Sequence, residues 1–125
     1  MARLADPELV TNVDEKASRS AQRVANALIP NAFWMSGDGR SEVELQTRIT
    51  EPLISKIGAE GVYMASIPNR GVGIALKARD GARRAADIAM EAVLEHLSAI
   101  TPSATVRNLT NAQGNVVGGM NVSWT

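Results

Sequence analysis

The sequence predicts an α+β fold in which an antiparallel sheet is flanked by helices. Segments with apolar residues at steps of three and four alternate with short segments rich in apolar and β-branched residues. The β segments occur in neighbouring pairs joined by glycine-containing turns, which favours antiparallel pairing. A length of 125 residues with 45% hydrophobic residues fits one globular domain.

The first helix is predicted over residues 13–29. Its apolar residues recur at helical spacing, Asn12 is a candidate N-cap, and Pro30 ends the helix. Residues 30–40 contain two aromatic residues followed by a glycine-rich turn. This composition is typical of a loop.

Two further helices are predicted on either side of the β-rich segment. Ser41 and Glu44 form a capping-box pattern, which predicts a short helix over residues 42–50. The longest helix is predicted over residues 82–97, after the turn at Asp80-Gly81. Its inner stripe is expected to consist of Ala85, Ile88, Ala89, Ala92, Val93 and Leu97.

Two hairpins are predicted. Residues 53–67 and 72–79 are apolar-rich segments joined by a turn at Pro68-Asn-Arg-Gly71, which indicates the first hairpin. Residues 106–109 and 115–124 indicate a second hairpin around Gln113-Gly114. The predicted order is helix, helix, hairpin, helix, hairpin.

Charge and cysteine content argue against several classes of function. Thirteen basic residues balance thirteen acidic ones, and no basic patch is evident, which argues against nucleic acid or an anionic membrane as partner. The sequence has no cysteine, which excludes disulfides and thiolate metal sites. It also has no apolar stretch of membrane-spanning length. A cytoplasmic location is therefore expected.

The motif that carries chemistry is Lys56-Ile-Gly58, on a predicted strand. A lysine followed by x-Gly on a pocket-lining strand is a signature of penicillin-recognising serine enzymes. The lysine places a positive charge beside a substrate carboxylate or a nucleophile, and the glycine lets substrate approach the backbone. The motif is short, however, and a surface lysine followed by a β-bulge glycine is the alternative.

Five sequence blocks extend this motif along the whole chain. They are Ala2-Arg-Leu-Ala-Asp-Pro7, Ser36-Gly-Asp-Gly-Arg40, Lys56-Ile-Gly-Ala-Glu-Gly-Val-Tyr63, Gly71-Val-Gly-Ile-Ala-Leu-Lys-Ala-Arg-Asp-Gly81 and Asn111-Ala-Gln-Gly-Asn-Val-Val-Gly118. In this order they resemble the C-terminal part of the bacterial L-asparaginase II family, the type also found in rhizobia.

The resemblance implies hydrolysis of L-asparagine to aspartate and ammonia, on a fold similar to that of serine β-lactamases and glutaminases. It also implies a serine nucleophile in a Ser-x-x-Lys motif within an N-terminal half. A zinc site formed by cysteines and a lysine, mostly from that half, is likewise implied for the complete family enzyme. The chain is therefore expected to be a single partial domain, residues 1–125, that forms the C-terminal segment of such an enzyme.

This sequence departs from the family pattern in three respects. None of its serines is followed by a lysine three positions later, so the nucleophile motif is absent. No cysteine is present to bind zinc, so no cofactor is expected in this chain. The family's usual Asp-Thr after Gly-Arg-x is Glu42-Val43 here. The chain alone is therefore expected to be inactive, with an N-terminal half or a second copy as its partner. A non-catalytic binding or assembly module is the alternative.

The candidate site residues follow from the matching blocks. Lys56 is the candidate catalytic residue, and Gly58 is its steric partner. Glu60 is expected to orient a neighbouring group or bind the substrate amine, although a carboxylate paired to a lysine is equally compatible with the sequence. Asp38 and Arg40 belong to a rim loop in which Arg40 binds the substrate carboxylate. The alternative for this loop is a glycine turn that leads into the capped helix.

Other residues are given structural interpretations. Ser55 points to the opposite face from Lys56 and is therefore a poor nucleophile. His96, the only histidine, is expected in the last turn of the long helix, where a cation is favoured. Phe33, Trp34 and Trp124 are expected to pack, or to face a partner half.

Overall fold

Four helices and five strands form the part of the chain that the computed structural model describes, residues 14–103 and 106–124. The helices are α1 (Glu15–Leu28), α2 (Ala32–Ser36), α3 (Ser41–Gln46) and α4 (Arg83–His96). The strands are β1 (Ile54–Ile57), β2 (Val62–Ile67), β3 (Val72–Lys77), β4 (Arg107–Thr110) and β5 (Val116–Met120). All strand pairs are antiparallel, which confirms the α+β prediction.

The main sheet is a three-stranded meander with the order β1-β2-β3. The prediction of one strand over residues 53–67 is wrong, because a tight turn divides that segment. Gly61 has φ +68°, and a Cβ atom there would lie 2.8 Å from the Ala78 Cβ. The turn closes with the Gly58 amide donating to the Val62 carbonyl at 2.7 Å. The glycines that interrupt the apolar run therefore mark a reversal of the chain.

The hydrophobic core lies between the inner face of this sheet and α4. Its fully buried large side chains include Tyr63 and Ile67 of β2 and Met90 and Leu94 of α4. The predicted inner stripe of the helix is correct for Ile88, which is buried, and for Leu97, which packs against the core, whereas its four other members are only partly buried. The buried residues of α4 are Ala86, Asp87, Ile88, Met90 and Leu94. Burying a methionine and a leucine removes more apolar area from water than burying alanines, so the helix presents the face with the larger side chains.

The N-terminal helices begin at other residues than the sequence indicates. Asp14 caps α1, because its side chain accepts a hydrogen bond from the Ala17 amide at 2.7 Å. The predicted cap, Asn12, lies outside the described residues. The predicted loop 30–40 contains the short helix α2.

The predicted capping box at Ser41 is not formed. Arg40 is the N-cap residue of α3, and its side chain makes no capping bond. The Ser41 hydroxyl instead donates to Asp87 Oδ1 of α4 at 2.7 Å. The Ser41 hydroxyl therefore bonds to the buried Asp87 carboxylate of another helix and not to the backbone of its own helix, as a capping serine would.

The last hairpin, β4–β5, forms as the sequence predicts, but it is a two-stranded sheet separate from the main one. Its second strand ends at Met120, before the predicted bound at residue 124. A register shift lies between Leu109 and Thr110. None of the helices in the described ranges combines the length and apolar character that a membrane span requires.

Candidate functional site

Lys56 lies on β1, the edge strand of the main sheet. Its ammonium is 3.3 Å from the Ser36 hydroxyl and 3.5 Å from Glu42 Oε1. The Lys56 side chain is 48% exposed, whereas the neighbouring Ser55 is buried. Strand alternation therefore places the amine on the outer face, within reach of a solvent-borne ligand.

Glu42 is the buried partner of this lysine. Its side chain has no exposed surface, and its Oε1 accepts hydrogen bonds from the Ser36 hydroxyl at 3.0 Å and the Ile57 amide at 3.1 Å. A buried carboxylate is costly unless such donors surround it. The first turn of α3 thus supplies one anion around which a lysine, a serine and a strand amide converge.

The Ile57 amide is available to Glu42 because it points away from β2. Amides along an antiparallel strand alternate between the paired side and the free side. Gly58 donates to Val62 on the paired side, so the preceding amide faces the free edge of β1. Glu42 therefore caps the exposed edge of the strand that carries Lys56.

The balance of these contacts lowers the pKa of Glu42. Burial alone would raise this pKa, but it is outweighed by hydrogen bonds from the Ile57 amide, its own backbone and the Ser36 hydroxyl, and by the charge of Lys56. The Glu42 carboxylate is consequently ionised at neutral pH and forms a charge-balanced pair with the lysine.

A second buried polar cluster supports α3 beneath this pair. The Tyr63 hydroxyl lies 3.2 Å from the Ser41 hydroxyl, which in turn donates to Asp87. Burial raises the pKa of Tyr63 to about 12 despite hydrogen bonds from serine side chains, and the nearby carboxylates of Glu42 and Asp87 contribute. The phenol stays neutral and links β2 to α3 and α4. This cluster is structural support, with its polar atoms engaged by one another.

Gly58 and Glu60 lie in the turn that follows Lys56, and both are exposed. Glu60 has φ 54°, and its carbonyl accepts a hydrogen bond from the Lys77 ammonium. At this site the carboxylate that pairs with a lysine is that of Glu42, whose partner is Lys56. Within the described ranges, the Glu60 carboxylate forms no ion pair. The alternative of a lysine-paired Glu60 carboxylate is therefore not what the structure shows.

Asp38 and Arg40 are exposed in the loop between α2 and α3. Asp38 Oδ1 accepts from the Gly39 amide at 2.9 Å, and the Arg40 carbonyl accepts from the amides of Val43 and Glu44. Within residues 14–103 and 106–124, the Arg40 guanidinium makes no ion pair. The structure brings the first residue of this block, Ser36, to Lys56, and leaves the arginine free on the surface.

Two residues of this arrangement were not identified from the sequence as members of the site. Ser36 was noted only as the start of a loop, and Glu42 only as a departure from the family pattern. An acidic residue in the first turn of a predicted helix, 14 positions before a strand lysine, is the sequence signal that could have identified Glu42.

His96 and the aromatic residues Phe33, Trp34 and Trp124 make ring contacts with one another in two pairs. His96 is in the last turn of α4, as predicted, and its ring centroid is 5.3 Å from that of Trp124. Phe33 and Trp34 form an edge-to-face pair with centroids 5.5 Å apart. Phe33 (50%), Trp34 (82%) and Trp124 (61%) are all exposed, so packing within the described ranges does not bury them, and the alternative that they face a partner half stays a prediction.

Sequence comparison assigns the chain to a family. The family model described as L-asparaginase II matches residues 1–123. The chain belongs to the L-asparaginase II family. Among curated protein sequences, no relative matches it. Membership of the L-asparaginase II family supports an asparaginase-like function in general, with a small molecule as substrate.

The zinc site implied by the family resemblance does not fit this chain. The implied ligands include cysteines, and the sequence contains none. The described residues also do not bring three histidine or carboxylate side chains together in metal-binding geometry. The groups present at the site are the Lys56 ammonium, the Ser36 hydroxyl and the Glu42 carboxylate.

Proposed function

We propose that this chain forms the lysine-bearing wall of an asparagine-hydrolysing site and does not complete the reaction by itself. The proposal is carried by the half-exposed Lys56 ammonium, held on an edge strand by Glu42 at 3.5 Å and Ser36 at 3.3 Å. Membership of the L-asparaginase II family supports amide hydrolysis as the reaction.

The wall offers complementary groups to an amino-acid amide. The Lys56 ammonium attracts the substrate carboxylate or stabilises an attacking oxygen, and Glu42 fixes its position. Gly58 leaves room for the substrate beside the backbone. Exposed Glu60 is suited to the substrate amine, and Asp38 and Arg40 form the rim, with Arg40 able to bind a carboxylate through two hydrogen bonds.

The nucleophile has to come from outside these 125 residues, because no Ser-x-x-Lys motif is present in this sequence. In covalent amide hydrolysis, a serine oxygen attacks the amide carbon, the C–N bond breaks, and ammonia leaves with the serine proton. Water then cleaves the acyl ester to release aspartate and restore the hydroxyl. An N-terminal half that carries the serine motif is the proposed partner for this step.

Complementation tests the proposal. The purified chain is mixed with a separate polypeptide that contains the Ser-x-x-Lys half of an asparaginase II enzyme, and ammonia release from asparagine is measured. We expect activity only in the mixture. Lys56→Ala should reduce that activity by at least about 100-fold, the scale of losing one electrostatic group. Lys16→Ala, on the exposed surface of α1, is the matched control and should retain full activity.

Two results would overturn the proposal. Asparaginase activity of the lone chain would show that the nucleophile lies within it. Full activity of Lys56→Ala in the complemented mixture would remove Lys56 from the site. Circular dichroism of both variants verifies that each lysine replacement leaves the fold intact.

A second candidate function is a non-catalytic binding or assembly module. The observation in its favour is that Glu42 already balances the charge of Lys56, so the pair is stable without substrate. Under this candidate, complementation yields no ammonia, whereas the chain still forms a complex whose mass can be measured. The predicted cytoplasmic location and the predicted lack of a cofactor stay predictions under either function.

A further inference from the structure

The turn that follows Lys56 contains a residue in a backbone conformation that most side chains disfavour. Glu60 has φ 54° and ψ 39°, in the left-handed helical region that glycine, asparagine and aspartate adopt most readily. The same residue carries the carboxylate proposed above to bind the substrate amine. A disfavoured conformation persists only where the surrounding contacts hold it, and such residues are frequent at ligand-binding sites.

Lys77, the last residue of β3, makes one of these contacts. Its ammonium donates a hydrogen bond to the Glu60 carbonyl and another, at 3.0 Å, to the Ala78 carbonyl. A charged donor forms a stronger hydrogen bond than a neutral one. The lysine therefore ties the backbone of Glu60 to the end of β3, 17 positions away in the chain.

The turn between β3 and α4 supports the same segment. The Ala78 amide donates to the Gly61 carbonyl at 2.9 Å. Gly81 lies against the backbone of Glu60, because a Cβ atom added to Gly81 would be 3.6 Å from the Glu60 carbonyl oxygen. A side chain on Gly61 would likewise collide with Ala78. Contacts with residues 77–81 thus fix the backbone on which the Glu60 side chain is mounted.

The Glu60 side chain itself is left free by these contacts. The residue is exposed, and in the part of the chain that the structure describes its carboxylate forms no ion pair. Ordering a flexible backbone on binding weakens affinity, whereas a backbone that is already ordered avoids this loss. A fixed backbone with an unengaged carboxylate is therefore suited to binding a cationic group.

Strand register places Lys77 on the face of the main sheet that also carries Lys56. Lys56 is opposite Met64 on β2, and Met64 is opposite Ala75 on β3. Lys77 follows Ala75 by two positions, so its side chain leaves the sheet on the same face. Lys77 therefore holds the Glu60 turn from the face that presents the Lys56 ammonium.

We propose that Lys77 is a positioning residue, which holds Glu60 in its left-handed conformation and so directs the Glu60 carboxylate toward the α-ammonium group of the substrate. The inference rests on the proposed asparagine-hydrolysing function and adds a basis for substrate specificity. An amide with a free α-amine gains an ion pair with Glu60, whereas the same amide without the amine does not. Lys77 acts through Glu60 and does not touch the substrate.

Backbone NMR of the full chain tests the positioning without any assay of hydrolysis. The Cα and Cβ chemical shifts of residue 60, with its amide-to-Hα coupling, report its φ angle. Lys77→Met removes the ammonium and keeps a chain of similar length, so we expect residue 60 to lose its left-handed values. Lys77→Arg retains a cationic donor and should restore them. Lys16→Met, on the exposed surface of α1, is the matched control and should leave residue 60 unchanged.

Steady-state kinetics of the complemented mixture test the consequence for the substrate. Lys77→Met should raise KM for asparagine by about three- to fivefold, the scale of one exposed ion pair, with kcat nearly unchanged. Succinamic acid is asparagine without its amine, and its inhibition constant should be the same for wild type and Lys77→Met. In a Glu60→Gln background, Lys77→Met should have no further effect on KM, because both residues act through one contact.

Three results would overturn the inference. They are a residue 60 that keeps its left-handed values in Lys77→Met, an equal rise in KM with and without the Glu60 carboxylate, and an equal weakening of succinamic acid. Circular dichroism checks the fold, and Lys77→Gln takes the place of Lys77→Met if the apolar side chain disturbs folding. A mixture that releases no ammonia contradicts the proposed function, and the NMR result then decides alone whether Lys77 positions Glu60.

Discussion

The two sheets of this protein differ in how the unpaired edges of their strands are covered. The three-stranded sheet is packed against α4, and the free edge of its first strand is capped by Glu42 through the Ile57 amide. The two-stranded sheet exposes four of its five β5 residues and has no charged residue on that strand. The first sheet is satisfied by its own chain, whereas the second pairs with no further strand in the described ranges.

The difference indicates which region of the molecule determines the free energy of unfolding. Apolar burial is concentrated in β2 and α4, whose large side chains are fully buried. Changes there should alter the free energy of unfolding, whereas changes in β4–β5 should alter local opening of the hairpin. Four substitutions test this division, from the largest expected effect to the smallest.

Leu94→Ala should have the largest effect. Leu94 is fully buried between α4 and the sheet, and removing its isobutyl group leaves a cavity. Such changes lower the free energy of unfolding by about 2–5 kcal/mol. Urea denaturation at a concentration where the chain is monomeric measures the loss. Val116→Ala, 61% exposed on β5, is the control and should change stability by less than about 0.5 kcal/mol. Equal losses in both variants would contradict the division between the sheets.

Gly61→Ala should come next, because it acts on the turn between β1 and β2. At φ +68° a side chain is strained, and its Cβ would lie 2.8 Å from Ala78 Cβ and 3.0 Å from the Gly81 backbone. Strain and overpacking together should lower the unfolding free energy by about 2–4 kcal/mol. Gly114→Ala has φ +83° but no atom within 4 Å, so it separates strain from the clash. Thermal unfolding of the two variants should differ clearly, and similar melting temperatures would show that the turn relaxes around the added methyl group.

Glu42→Gln should have an intermediate effect that depends on pH. The folded-state pKa of Glu42 lies below its ordinary value of 4.5, so its carboxylate stabilises the fold above that value. This contribution is lost as the pH falls through the folded-state pKa. Glutamine keeps an acceptor for the Ile57 amide but loses the charge, which should cost about 1–2 kcal/mol at pH 7.

The pH profile distinguishes this effect from a simple loss of packing. Unfolding free energies measured between pH 7 and pH 3 should converge for wild type and Glu42→Gln toward the acidic end. Glu15→Gln, on an exposed residue of α1, serves as the control. A constant gap between wild type and Glu42→Gln at every pH would mean that the carboxylate charge does not stabilise the fold.

Arg107→Gln should have the smallest effect on global stability. Its guanidinium is 37% exposed and lies 3.4–3.9 Å from three carboxylates, so each pair is weak. The expected loss is about 0.5–1 kcal/mol. Hydrogen exchange should accelerate in β4–β5 while the amides of β2 are unaffected. Faster exchange throughout the main sheet would show that the two regions unfold together.

The sequence predicts the secondary-structure elements more accurately than the tertiary contacts that those elements make. Hydrophobic spacing and glycine turns locate the long helix, the first helix and both hairpins, because these signals are local. The reversal at Gly61 was missed because an apolar run continues through it. The buried face of α4 was misassigned because alanines at helical spacing mimic a stripe, while the choice of Met90 and Leu94 depends on the sheet opposite.

The candidate site shows the same limit. Lys56 and Gly58 can be selected from their spacing and from the family resemblance. That Ser36 and Glu42 converge on Lys56 depends on how α2 and α3 dock against β1, which is a tertiary contact. Likewise the Ser41 hydroxyl was assigned to a helix cap, because its true acceptor, Asp87, lies 46 positions away in the chain.

The hydrogen bond from the Ile57 amide to Glu42 has a consequence for aggregation by strand addition. A foreign β-strand that adds to this side of the molecule must first expel an ionised group from a site with no contact to solvent. Amyloid-like templating therefore meets a high barrier here at neutral pH. Strong acid, which neutralises the carboxylate, removes that barrier and opens this flank to fibril growth.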